Sequence, residues 1–435
     1  MNYIDIVNLV FAILGGLIGL LCIHHFVLFV IGLFAKKKFP IAEKKCKYGI
    51  VVSARNEDRV IGRLIESIKA SDYPAENIQI FIIAHNCTDD TAKVCREKGA
   101  VVFEYNNPDE RMKGYALRYG FNKIKEEYGI DSFDGYFIMD ADNIVTADYI
   151  SKMNDAFVAN GEEAAITSYR NSKNFNENYM SLMYGMFFLY GCRFEQRGRA
   201  VVGSSTRVTG TGYLFSNKQV ANGWNYLTMT EDWEFSADIV TDGNKTDYCD
   251  DAVFYDEQPT TVPIMLRQRL RWAKGHMQVF FTRFAKLVSS IFNPKKYSKE
   301  GKKNRVFSKY DLSVNVLPLG FIGVVTFLLH IILLAFCPLF GLDVGKAYAD
   351  FFIQMGISLG IAYVGLCISE IILFIVERKR IGKLSLGKRL LAFFVYPFFM
   401  FIAIILDFMA MFVRNLQWKP IPHRYNKDED VKNKK

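Results

Sequence analysis

Two aspartates one residue apart, Asp140 and Asp142, close a strongly apolar run, Tyr136-Phe137-Ile138-Met139. Carboxylates at the end of a strand can hold a hard divalent cation through oxygen, and the cation can hold a diphosphate. Taken alone, the pair is equally an acidic turn. Further along, Thr230-Glu231-Asp232 precedes an amphipathic stretch. A carboxylate there can deprotonate a hydroxyl group, although the triplet also reads as a helix N-cap with acids at the positive end of the helix dipole. In Gln268-Arg269-Leu270-Arg271-Trp272 the arginines suit phosphate and the indole suits the face of a sugar ring. The same string alone reads as a basic, aromatic membrane-interface helix. Thr209-Gly210-Thr211-Gly212-Tyr213 is either a tight turn or a place where backbone comes close to a ligand.

These residues need a scaffold, and the pattern from Tyr48 onward supplies one. Tyr48–Ser53, Ile78–Ala84 and Tyr136–Asp140 read as buried strands. Val60–Ala70, Thr91–Lys98 and Tyr115–Lys125 carry apolar residues at helical spacing. Strands alternating with helices imply a mostly parallel, Rossmann-like α/β sheet with crossover connections. Sites on such sheets lie at the carboxyl ends of the strands. That rule draws in Ser53-Ala54-Arg55-Asn56-Glu57 and Ala84-His85-Asn86-Cys87-Thr88-Asp89.

The rest of the chain is very apolar. Of its 435 residues 51% are hydrophobic, and they are unevenly placed, which implies a water-soluble domain joined to membrane segments. Ile6–Phe34 is an uncharged run followed by Lys36-Lys37-Lys38. It is too long for a signal peptide and its charges lie on the wrong side, so it is read as a spanning helix. Leu312–Leu342, Phe351–Ser369 and Leu390–Leu406 are three further candidates, and the amphipathic Ala273–Phe292 is read as lying in the interface. The division expected is an N-terminal transmembrane helix at 1–40, an α/β domain at 45–272, and amphipathic helices with a gating loop or a plain linker at 273–311. An α-helical transmembrane region of about three helices at 312–415 and a polar tail at 416–435 complete it. The net charge of +9 is concentrated beside the apolar runs. That placement favours retention of the flanks on the cytoplasmic side and contact with membrane lipids, and it argues against a nucleic-acid partner. One feature conflicts with it. Three spans after an inside domain put the Lys-, Arg- and His-rich tail from Arg414 outside, unless Pro397 or Pro318 breaks a re-entrant segment. Glu370 and Asp407 interrupt apolar runs and suit either a polar channel or the interface. The eight cysteines show no CxxC spacing and read as free thiols.

In their order, DxD, a GTG-like turn, TED and QxxRW followed by membrane helices, the motifs resemble those of the processive family 2 glycosyltransferases: the cellulose, chitin, hyaluronan and poly-N-acetylglucosamine synthases. The resemblance runs from about Gly49 to Met277 and implies a GT-A catalytic domain. It implies that Asp140 and Asp142 hold Mg²⁺ or Mn²⁺, and that Asp232, beside Glu231, is the catalytic base. Ser53, Arg55, Glu57, His85, Asp89, Lys113 and Asp140 are then expected on the nucleotide-sugar, and Gly210, Thr211, Gly212, Gln268, Arg271 and Trp272 on the acceptor. The family commonly has an aspartate on the uracil where this chain has His85, and a neutral imidazole can accept the same hydrogen bond. The activity implied is inverting transfer of a hexose from a UDP-sugar to a growing β-linked glycan, with export that calls for accessory proteins. The alternative is transfer of one sugar to a lipid. The place implied is the cell membrane, multi-pass, with the catalytic domain cytoplasmic.

Overall fold

The computed structural model describes residues 1–298, 301, 304–414 and 416. Nearly all of the 416–435 tail and part of the Lys295–Lys309 stretch lie outside the described residues. The strands are β1 (Tyr48–Ala54), β2 (Ile78–His85), β3 (Val101–Tyr105), β4 (Gly135–Asp140), β5 (Ile144–Val145), β6 (Ala165–Ser172), β7 (Tyr213–Ser216) and β8 (Thr246–Asp256). The helices up to the second half of the domain are α1 (Tyr3–Phe34), α2 (Ile61–Lys69), α3 (Thr91–Glu97), α4 (Lys113–Glu127), α5 (Tyr149–Ala159), α6 (Tyr179–Tyr190), α7 (Arg197–Val201) and α8 (Glu231–Thr241). After them come α9 (Val262–Phe292), α10 (Pro294–Tyr297), α11 (Val306–Val316), α12 (Leu319–Leu334), α13 (Val344–Val376), α14 (Arg378–Ile381) and α15 (Leu386–Phe412).

The eight strands form one mixed sheet in the order β3-β2-β1-β4-β7-β6-β8-β5. It is parallel where β1 meets β2 and β4, β2 meets β3, and β6 meets β8, and antiparallel around β7 and at β5. β1 sits at the centre because its run of Ile50, Val51 and Val52 is apolar on both faces and so must be covered from both sides. Ile50 and Val52 pack under α2 and α5, whereas Val51 packs under α4 and α8. At the carboxyl ends of β1 and β2 the chain turns through Asn56 (φ 58°) and Asn86 (φ 53°), left-handed conformations that asparagine tolerates. Asn56 accepts the Thr88 amide at 2.8 Å and donates to its hydroxyl at 3.1 Å, which ties the two loops together beside the site.

α1, α13 and α15 are each long and apolar enough to cross a membrane, and α11 with α12 forms a pair bent by 54°. The bend lies at Pro318, one of the two prolines read from the sequence as possible breaks, so Leu312–Leu342 is not one straight helix. Pro318 pushes Leu317 out of the helical region, to φ −60°, ψ 130°. Before the bend, Leu312 and Val316 pack on Ala237 and Val240 of the soluble domain instead of facing lipid. Phe307, Ser308 and Lys309, where a gating loop was considered, lie inside α11, with Lys309 Nζ donating to the Ser290 carbonyl and to the Asn304 side chain at 3.0 Å each.

α1 meets the soluble domain at two glycines. A Cβ on Gly32 would stand 2.6 Å from the Arg193 carbonyl oxygen, and one on Gly198 would collide with the Leu28 carbonyl. Gly198→Ala is therefore expected to destabilise the protein by about 1–3 kcal/mol through overpacking. The check is the thermal unfolding midpoint in detergent: it should fall relative to the parent, whereas Gly191→Ala, with nothing within 4 Å of the new methyl, should leave it unchanged or raise it.

Candidate active site

The carboxyl ends of β1, β2 and β4 open into a cavity of about 490 Å³. One end is polar. Ser53 is the penultimate residue of β1, His85 ends β2, and Arg55, Glu57 and Lys113 join them in the wall. His85 Nε2 lies 2.6 Å from the Glu110 carbonyl oxygen. A carbonyl only accepts, so Nε2 carries the proton and the neutral ring keeps Nδ1 as an acceptor. Burial lowers the imidazole pKa and favours that neutral form, and the ring stacks on Tyr105 at 5.3 Å between centroids.

At the centre, β4 delivers Asp140 and the following turn delivers Asp142. Asn143 and Thr211 hold the Asp140 amide, with Thr211 Oγ1 accepting at 2.8 Å. Asp142 accepts the Glu257 amide at 2.9 Å. Lys113 Nζ bonds Asp140 Oδ1 and donates to the Gly210 carbonyl at 2.8 Å. A third acid, Asp256 at the end of β8, pairs with Arg170 Nε at 2.7 Å. Burial raises its carboxyl to about 6 against the pull of Arg170, with the charges of Asp142 and Asp140 adding to the rise. Asp140, Asp142 and Asp256 line the cavity together, and carboxylate oxygens are the donors Mg²⁺ or Mn²⁺ takes, few from protein, with phosphate and water completing its shell. Asp140 and Asp142 offer donors of the right chemistry for that ion.

Glu231 and Asp232 start α8 and are both buried. Thr230, the residue that could cap this helix, makes no side-chain capping bond. Burial raises Glu231 to about 7, Lys113 opposes the shift and Asp232 adds to it; burial likewise raises Asp232. Two adjacent buried acids therefore share one pocket with Lys113, whose Nζ is 3.9 Å from Glu231.

The other end of the cavity is apolar and faces the membrane helices. Gln268, Arg271 and Trp272 project from α9, and Met400, Ala403 and Leu406 from α15. Trp272 stands among Phe187 (6.2 Å, near-parallel), Phe188 and Tyr184. The Gln268 side-chain oxygen is buried without a hydrogen-bond partner among the described residues, a polar atom left for a ligand. Arg269, between them in sequence, does something else: it donates to the Phe399 carbonyl and lies 4.3 Å over the Phe399 ring, tying α9 to α15.

Of the residues singled out from sequence, Ser53, Arg55, Glu57, His85, Lys113, Asp140, Asp142, Gly210, Glu231, Asp232, Gln268, Arg271 and Trp272 line this one cavity. Asp89, Thr211 and Gly212 do not. Asp89 accepts from Thr91 and from the Asp58 amide at the start of α3. Thr211 and Gly212 shape the wall behind Asp140; Gly212 (φ 66°) leaves no room for a Cβ against Phe254. Arg170, Asp256, Arg207 and Phe187 line the cavity without having been anticipated. Their only sequence signal, a charge or an aromatic ring, recurs throughout the chain.

A family model described as glycosyltransferase like family 2 matches residues 46–275, more than half of the chain. Among curated proteins, a beta-monoglucosyldiacylglycerol synthase from Synechocystis is 24% identical over 53% of this chain and 47% of its own length. A poly-beta-1,6-N-acetyl-D-glucosamine synthase from Staphylococcus aureus is 25% identical over 54% and 55%. The chain thus aligns with about half the length of these relatives. Among solved structures, a mannosyltransferase from Pyrobaculum calidifontis in complex with GDP-Man and Mn²⁺ superposes with a TM-score of 0.50. It covers 91% of this chain and 98% of its own, at 14% identity, which is a likeness of fold.

The acid pair yields a prediction that separates stability from chemistry. Glu231 has a folded pKa above its unfolded value, so the native state binds the extra proton between about 4.5 and about 7. Stability conferred by that proton is present at low pH and lost as pH rises through 7. Glu231→Gln should therefore be more stable than the parent at pH 8, by up to about 3 kcal/mol, and no more stable at pH 4.5. Chemical denaturation at the two pH values measures the difference.

Proposed function

The chain belongs to glycosyltransferase family 2, and from that membership we propose that it is an inverting, metal-dependent hexosyltransferase that draws on a UDP-sugar. The observation that carries the reading is the continuity of one cavity from the strand-end polar residues, past Asp232, to Trp272 and a membrane helix. Donor and acceptor can meet in it end to end.

His85, with Nδ1 as acceptor, takes the uracil N3–H. Lys113 reaches the diphosphate by exchanging its bond to Asp140 for one to phosphate oxygen. Bound by Asp140 and Asp142, a Mg²⁺ or Mn²⁺ ion would neutralise the diphosphate and ease its departure. Asp232 takes the proton from the acceptor hydroxyl, and the raised pKa that burial gives it suits a base that must also hold the proton. The hydroxyl oxygen forms a bond to the anomeric carbon from the face opposite the leaving group. The bond from that carbon to the diphosphate oxygen breaks with its electron pair, so an α-linked donor gives a β-linked product. Trp272 stacks on the terminal acceptor sugar while Gln268 and Arg271 position it.

The acceptor best matched to an aromatic cage ending in QxxRW is the non-reducing end of a growing β-glycan, extended processively and passed to the membrane helices for export. The nucleotide-sugar places the catalytic domain on the cytoplasmic side of a multi-pass protein, beside Lys36, Lys37 and Lys38. A second reading, transfer of one sugar to a lipid, is favoured by the apolar wall of Met400, Ala403 and Leu406 and by the kinship to a glucosyldiacylglycerol synthase.

Product size decides between them. The purified protein, given labelled UDP-glucose or UDP-N-acetylglucosamine with Mg²⁺ or Mn²⁺, should yield a high-molecular-weight glycan cut by a β-glycanase. A single labelled lipid and no polymer from any donor would replace the first reading by the second. Asp232→Asn should lower kcat by about 10²–10⁴-fold while leaving donor binding nearly unchanged; a variant with full activity would remove Asp232 from the mechanism.

A further inference from the structure

α15 has 27 residues, a length of about 40 Å. The two ends of such a helix, if it crosses a hydrocarbon core about 30 Å thick, face opposite aqueous sides. One catalytic domain can then touch only one of them, yet α15 meets this domain at both ends and in the middle. Near its start, Lys388 Nζ bonds both oxygens of Asn176, in the loop before α6. At its middle, Phe399 receives Arg269 and meets the Tyr184 ring at 5.3 Å. Near its end, the Ala410 carbonyl accepts from Lys274 Nζ at 3.0 Å. Just beyond, Leu416 lines a pocket with Lys113, Thr228 and Glu231.

The neighbouring helices set the same level. Asp407 packs over Gly320, in the first turn of α12, where that helix leaves the soluble domain. The carbonyls of Phe394 and Phe393 accept from Tyr363 and Cys367 of α13. From Cys367 onward one face of α13 is covered by protein at Cys367, Ser369, Glu370 and Leu373, while Ile368, Ile371 and Ile375 on its other face stay exposed, as Ile357, Ile361 and Val364 are before it. Along α15 itself Leu390, Leu391, Phe394, Phe398, Ile405 and Met409 are exposed, and Ala392, Tyr396, Phe399, Leu406 and Ala410 are buried against the protein.

We infer that α15 does not cross the membrane: it lies in the plane of the interface on the catalytic side, its exposed apolar face seated in a lipid leaflet and its opposite face forming the floor of the catalytic cavity. The occupant of the exposed face is an acyl-chain surface with anionic headgroups. The apolar face continues the lipid-facing surface of α13, and the exposed cations Lys383 and Arg389 sit at the rim where headgroup phosphates lie. This arrangement puts Arg414 on the side of the catalytic domain, where the rule that retains positive charge places a Lys- and Arg-rich segment. It leaves the cavity one helix away from lipid. The inference holds whichever acceptor is used.

Topology and depth test it on the full chain. Glu97→Cys, Gly387→Cys and Arg414→Cys, all at exposed positions, are expressed separately and labelled with a membrane-impermeant maleimide in sealed membrane vesicles of a single orientation, with the parent's labelling subtracted. All three should be labelled from the same side. Arg414→Cys labelled from the side opposite to Glu97→Cys overturns the inference. Nitroxides at Leu391→Cys, Phe398→Cys and Ile405→Cys then report depth after reconstitution in vesicles of phosphatidylcholine and phosphatidylglycerol. Equal oxygen accessibility at all three supports an in-plane helix, and a steady gradient from one to the next overturns it. Spin–spin broadening with loss of oxygen contact assigns the face to a second copy of the chain and overturns the lipid assignment.

Discussion

A Cβ on Gly275 would stand 2.5 Å from the Thr230 methyl and 2.7 Å from the Thr230 amide nitrogen. α9 can therefore lie directly on the turn that carries Glu231 and Asp232, and the distance between the acids and the cage around Trp272 follows from that contact. The same helix is held from below by Arg269 on Phe399 and by Ala273 against Leu406 and Ala410. α9 is thus clamped between the soluble sheet and α15, and the cavity exists only while both contacts hold. A side chain at position 275 larger than hydrogen would meet the Thr230 side chain at 2.5 and 2.6 Å and the Thr230 backbone at 2.7 Å.

Charge within the cavity follows from burial. Glu231, Asp232 and Asp256 are removed from water, which disfavours their ionised forms, and each has only partial compensation from Lys113 or Arg170. The acids proposed as metal ligands and the acids whose pKa burial raises belong to one electrostatic arrangement. Lys113 belongs to both groups, since it faces Asp140 and Glu231 at once.

The joint between soluble domain and membrane helices is ionic as well as apolar. Asp311 of α11 receives Arg199 at 2.6 and 2.8 Å and His24 of α1 at 2.9 Å. Glu377, at the end of α13, accepts from Tyr169 and Arg193 at 3.0 Å each. Buried pairs of this kind contribute little net stability relative to apolar packing, but removing one partner leaves a stranded charge. They fix register. The GT-A-like domain and its helices are consequently joined as one part, with the cavity lined from both.

What the sequence determined by itself was local. β1, β2, β4 and the helices between them were legible to within about two residues, because runs such as Ile50-Val51-Val52 have the period of buried strands and α2 has the period of a half-buried helix. Most of the residues that motif order singled out line the cavity, since the chemistry requires acids and arginines at strand ends and helix starts. The sequence did not reveal that Thr211 supports Asp140 from behind, that Arg269 holds α15 while Arg271 faces the cavity, or that Arg170 and Asp256 meet across β6 and β8. Nor did it choose between Pro318 and Pro397 as the break, or show that the first turns of Leu312–Leu342 pack on the domain. Those facts depend on which elements lie side by side. Hydropathy records how much a segment avoids water, whereas only tertiary contact decides whether it avoids it in lipid or against protein.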